Sequence, residues 1–186
     1  MQNNRYTGVA ILCLFFFLVF AIAFLFSNRS PTMIIGGENS VGSWISGVLL
    51  VISATATAII ASKFGWWPWL IFTVFFVLLA VDENFMIHEA IKRQIIFTSF
   101  ERTNSPGYWR GELPVIFAAC NGLVVAWIMW KSIDRNVRWL IVAGVIFGTT
   151  SVTIDVISAG VLWEDSFKLI SELFIASALV WHVQNH

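Results

Sequence analysis

Six stretches of the chain stay apolar for about twenty residues at a time, at about 8–27, 41–63, 66–92, 112–131, 138–162 and 164–183. At 1.5 Å of rise per residue, each is long enough as an α-helix to cross roughly 30 Å of hydrocarbon. Lipid offers no water to the backbone, so a spanning segment must be a helix or a strand of a closed barrel. The alternating ten-residue strands of a barrel are absent from the sequence. The pattern therefore predicts an all-α polytopic membrane bundle of about six transmembrane helices, one domain over residues 1–186. Composition agrees, since 58% of residues are hydrophobic and 12% charged, with a mean hydropathy of +0.80. That leaves too little polar surface to cover a soluble globule, and lipid is the expected solvent.

Formal net charge is zero, and Lys and Arg lie singly or in short groups between apolar runs. No basic face suits nucleic acid, which is excluded as a partner. Cys13 and Cys120 both fall inside apolar segments and read as small packing residues rather than a disulfide or thiolate site. One Arg precedes the first apolar run and no small-x-small cleavage site follows it, so the run reads as a retained helix rather than a signal peptide. Trp44, Trp109 and Trp163 fall on the side of loops one, three and five, whereas Trp66, Trp67, Trp69, Trp127, Trp130, Trp139 and Trp181 gather on the other, as interfacial rings should. The basic loop "KSIDRNVR" places both termini in the cytoplasm by the positive-inside rule. The longest connection, residues 98–112, reads as a linker or as a lid over the bundle.

Converting sequence position to depth brings the ionisable residues together. Asp82 lies roughly 24 Å along the third helix and Asp155 roughly 25 Å along the fifth, which puts both in the leaflet on the side of loops one, three and five. Glu164 and Asp165 open the sixth helix on that side, with Lys168 about 6 Å and Glu172 about 12 Å deep. Helical spacing groups Asp82, Glu89 and Arg93 on one stripe, Ser151, Asp155 and Ser158 on a second, and Glu164, Lys168, Ser171 and Glu172 on a third. Charges facing lipid are costly, about 2.5–3.5 kcal/mol each at a helix centre, so the stripes are expected to face one another. Glu112 and Pro114 stand at the rim, and Asn121 lies mid-membrane.

Lys168 then neutralises Asp82 or Asp155, and Glu83, Glu164 and Asp165 complete an ion-pair or proton site. With only one deep lysine, like charges held close require a proton or a bound cation. Asp82, Glu89, Asp155 and Glu172 offer hard oxygen and His88 one imidazole, a donor set for a divalent cation such as Mn, Fe, Zn, Mg or Ca. His182 and His186 lie at the far end of the sixth helix, roughly 20 Å from Lys168, and cannot join.

The segments "VDENFMIHE", "SVTID" and "WEDSFKLISE" resemble a group of uncharacterised bacterial multi-pass inner-membrane proteins that carry an Asp-acidic pair, a His-Glu pair, and Glu-Asp-x-x-Lys. The resemblance covers about helices three to six. It implies the bacterial inner membrane and a polar site shared by Asp82, Glu83, His88, Glu89, Asp155, Glu164, Asp165 and Lys168, with no activity attached.

Three functions follow as expectations. The first is binding of a cation or protons at a carboxylate-rich intramembrane site near one face. The second is a structural or assembly role, alongside a membrane-protein partner or a second copy, with buried ion pairs fixing the packing. The third is a membrane-embedded metal-dependent hydrolase, in which His88 and carboxylates hold the ion and Glu83 or Glu172 serves as general base.

Overall fold

The structure is a computed structural model describing residues 7–27, 30–36, 40–65, 67–87, 90, 120, 123–124, 127, 130–157 and 160–185. Every regular element among them is helical: α1 Thr7–Phe26, α2 Pro31–Ile35, α3 Val41–Phe64, α4 Trp67–Phe85, a single 3-10 turn Trp130–Ser132, α5 Arg135–Val156 and α6 Val161–Asn185. Five of these helices are long and apolar enough to cross a membrane. The protein is thus a multi-pass membrane protein whose environment is the bilayer. The span expected at 112–131 lies almost wholly outside the described residues.

Helix α3 is the centre. It packs heavily against α4 and α6, α6 packs in turn on α5, and α1 lies along α6 with few contacts to the rest. Most residues on α3 that meet neighbours are small: Gly42, Ser46, Gly47, Ser53, Ala54, Ala56, Thr57 and Ala61 are buried, with Ile45, Leu49, Leu50 and Ile60 filling the spaces between them. Without a hydrophobic force between helices in lipid, small residues that let backbones approach are what select a central helix. The same device joins α5 to α6. Ser171 donates to the Gly144 carbonyl at 2.7 Å, and a Cβ at Gly148 would sit 2.9 Å from the Ser171 hydroxyl.

Three features differ from the sequence reading. The third span was expected to run to residue 92, but α4 ends at Phe85 because Met86 takes a left-handed φ of 51°. The next turn restarts from the Met86 carbonyl, which accepts from the Ala90 N–H at 3.0 Å. Asp82 lies in the last turn of α4, and Glu89 and Arg93, expected on its stripe, lie outside the described residues. The fifth and sixth spans divide at Gly160, whose φ of 121° suits only glycine. As a result α6 starts at Val161, three residues before the expected start at 164. Finally, loop one contains α2, which the apolar pattern did not reveal. Its end is sewn to α3 by Ser40, whose hydroxyl accepts from the Ser43 N–H at 3.0 Å and donates to the Ile35 carbonyl at 3.2 Å.

The tryptophans separate into two kinds. Trp44, Trp67, Trp127, Trp139 and Trp163 are more than half exposed, as interfacial anchors would be. Trp69, expected among them, is 2% exposed and belongs to the core. Its ring lies against His182, with centroids 5.6 Å apart and planes 22° from parallel.

Candidate functional site

The start of α3, the end of α4 and the start of α6 share one end of the bundle, and their polar side chains meet there. Lys168, in the second turn of α6, forms an ion pair with Glu83, near the end of α4. One turn further along α6, Glu172 accepts a hydrogen bond from the Ser46 hydroxyl of α3 through Oε1, at 2.9 Å. Its other oxygen, Oε2, is buried without a hydrogen-bond partner among the described residues. A carboxylate oxygen in that condition costs free energy unless something satisfies it.

Asp165, just after the first turn of α6, lies within electrostatic reach of both Lys168 and Glu172, as does Glu83 of Glu172. Gly36, capping α2, sits beside it: a Cβ there would meet Asp165 Oδ2 at 3.4 Å and the Thr32 carbonyl at 2.9 Å. Helix α2 thereby closes this end of the bundle next to the acidic first turn of α6. On the α4 side, Gly47 leaves room for the Asn84 amide, whose Nδ2 would stand 2.7 Å from an added Cβ. Asn84 donates to the Ala80 carbonyl at 2.7 Å, which holds the amide against α3.

The sequence reading gave Lys168 to Asp82 or Asp155, and the structure corrects this. The partner is Glu83, which a helix places about 100° round from Asp82. Asp82 is half-buried on α4, and its carbonyl accepts from the Met86 N–H at 2.7 Å. Asp155 is half-buried at the end of α5, and no ion pair or hydrogen bond ties its carboxylate to Lys168 or Glu172. The stripe it shares with Ser151 faces α6: the Ser151 hydroxyl donates to the Glu164 carbonyl at 3.0 Å. Glu164 thus enters the helix pairing through its backbone.

His88, Glu89, Glu112 and Asn121, and the connection at 98–112, lie outside the described residues. Among the described residues, no group of three or more His, Cys, Asp or Glu side chains is arranged to hold a metal ion. Cys13 and Cys120 are free thiols.

Two participants escaped the sequence reading. Ser46 was not singled out, and only the hydrogen bond it makes across two helices reveals it as a donor to the Glu172 carboxylate. His182 was set aside as remote; it is 3% exposed, with Nδ1 3.5 Å from Asp134 Oδ2. A histidine inside an apolar helix end, facing an Asp that opens the preceding helix, was the available signal.

Residues 6–183 match the profile of a domain of unknown function, DUF8692, and the chain belongs to that family. No curated protein and no solved structure matches the chain.

Proposed function

Taking membership of that family as the premise, we propose that the chain is a bacterial inner-membrane protein that binds a cation or protons at Glu172. Both termini face the cytoplasm in this reading, so the site opens towards the opposite side. One observation carries it: Glu172 Oε2 is buried and lacks a hydrogen-bond partner among the described residues, beside a lysine already engaged by Glu83. Among the described residues, Glu83 and Glu172 both act on the single ammonium group of Lys168. In a low-dielectric setting that imbalance calls for a further positive charge. A proton supplies it directly. A divalent cation would draw on Glu172, one of the donors expected from the sequence.

Infrared difference spectroscopy of the purified protein during a pH titration tests the reading. A protonated-carboxyl band that vanishes on raising pH or adding cation, and is missing in Glu172→Gln, is the expected result. Identical spectra for the parent protein and Glu172→Gln, with no cation retained, would remove Glu172 as the ligand.

A structural reading has its own supporting observation, the Lys168–Glu83 pair, which links α4 to α6 where both pack on α3. Such a pair fixes register and suits assembly with a membrane partner or a second copy. Replacing both residues with apolar ones of similar size would then leave a folded protein, whereas either single replacement would destabilise it.

A further inference from the structure

We propose that Glu172 is one end of a proton route through the junction of α3, α4 and α6, with His182 and Asp134 at the other end. The inference rests on reading Glu172 as the ligand site and goes beyond it by naming the proton and a path.

The path begins at the hydroxyl that bonds Glu172. Ser46, Ser53 and Thr57 fall at i, i+7 and i+11 on one face of α3 and are 1%, 2% and 0% exposed. At the far end of this face, Thr73 of α4 donates to the Thr57 hydroxyl at 3.0 Å. Trp69, one turn from Thr73, stacks on the His182 imidazole. His182 Nδ1 is 3.5 Å from Asp134 Oδ2, and the Asp134 side chain is 40% exposed. A buried imidazole therefore touches a carboxylate that opens to the side opposite Glu172. Ten residues of α6 separate Glu172 from His182, about 15 Å of rise, half the hydrocarbon thickness.

The chemistry of this seam favours a proton over a metal ion. A hydroxyl passes a proton by accepting one on a lone pair and releasing its own, and imidazole does the same through its two nitrogens. A hard cation wants about six oxygen ligands at each resting place. Here the hydroxyls come one or two to a level, too few for such a shell, and those of Ser53 and Thr57, which donate to backbone carbonyls at rest, rotate to pass a proton on. One proton enters at Glu172 and one leaves from His182 by way of Asp134, with no electron transfer and no group consumed.

Two dry stretches interrupt the seam, Leu49 and the Trp69 ring that separates Thr73 from His182, and water must bridge both. Leu49 lies between Ser46 and Ser53 on the same face and is fully buried. The two serines are about 10 Å apart along the helix, beyond hydrogen-bond reach. Leu49 acts as a dry constriction, and transit requires water to enter there.

The full chain reconstituted in liposomes holding a pH-sensitive dye, under a potassium diffusion potential, tests the route. Dye acidification several-fold faster than in empty liposomes is expected, with a further several-fold rise in Leu49→Ser. Thr57→Val and His182→Asn should each cut the flux several-fold. Thr55→Val should leave it unchanged, because Thr55 is an exposed hydroxyl bonded to its own helix. Gel filtration and circular dichroism confirm that each variant is folded, and His182→Gln serves if His182→Asn is not. Flux at the empty-liposome level in both the parent protein and Leu49→Ser would overturn the route, as would flux indifferent to Thr57 and His182. The infrared titration separates the two failures: a Glu172 band without flux removes the route alone, whereas no Glu172 band removes the site beneath it.

Discussion

Helices α1 and α3 are both long apolar spans, yet 11% of the α1 window is buried inside the protein against 61% for α3. The more hydrophobic helix is the more exposed one. In α1, Ile11, Leu14, Phe17, Leu18, Leu25 and Phe26 all face outward, and Leu12 is its sole buried residue. In α3, glycine, alanine, serine and threonine make up most of the buried face, alongside Ile45, Leu49, Leu50 and Ile60. Bulk hydrophobicity in a membrane marks what touches lipid, and small or hydroxylated side chains mark what touches protein. The polar site follows the second helix: Ser46 and Gly47 let α6 and α4 approach closely enough for Glu172, Lys168 and Glu83 to meet.

Substitutions that break this contrast should fall in a definite order, read as unfolding free energy in bicelles. Lys168→Met comes first, with a loss of about 3 kcal/mol, because it leaves Glu83 and Glu172 facing each other without the ammonium group. The figure sits at the low end for buried pairs because the lysine side chain is 33% exposed. Gly42→Val is next, at about 2 kcal/mol, since its Cβ would stand 2.1 Å from the Ile35 carbonyl oxygen and push α2 off α3. A smaller loss of about 0.6 kcal/mol is expected for Thr57→Val. There Thr73 keeps its bond to the Trp69 carbonyl at 3.0 Å. Leu14→Ala on α1 should change stability by no more than about 0.5 kcal/mol. An α1 substitution as costly as Gly42→Val would contradict the division between lipid-facing and central helices.

Much of the architecture was legible because hydrophobic length is a one-dimensional signal. The starts of α1, α3 and α4 fall within a residue of expectation, and the end of α3 is marked by Gly65, which takes a left-handed φ of 61°. Backbone breaks inside apolar runs were not legible. Met86 is an ordinary helix former, so its left-handed turn carries no signal in the local sequence. Gly160 was read through because its neighbours are apolar. Depth counting placed Lys168, Glu172 and the end of the third span at one end of the bundle, since rise per residue needs no side-chain detail. Pairing was beyond its reach. Asp82 and Glu83 differ by one residue in depth but by about 100° in direction, and only the rotation of α4 against α3 decides which meets Lys168. His182 was missed for a related reason, because its neighbours Trp69 and Asp134 come from other helices.

The convergence of α4 and α6 on a single charge pair is tested most directly by exchanging the charges. Unfolding in bicelles is compared for Glu83→Lys, Lys168→Glu and the double exchange, with Asp155→Lys plus Lys168→Glu as the reference pair. Each single change should destabilise the protein, and the Glu83–Lys168 exchange should recover more than half of the loss while the Asp155 exchange recovers none. Recovery through Asp155 instead, or strictly additive losses at Glu83 and Lys168, would contradict the placement of these side chains and the site built on it.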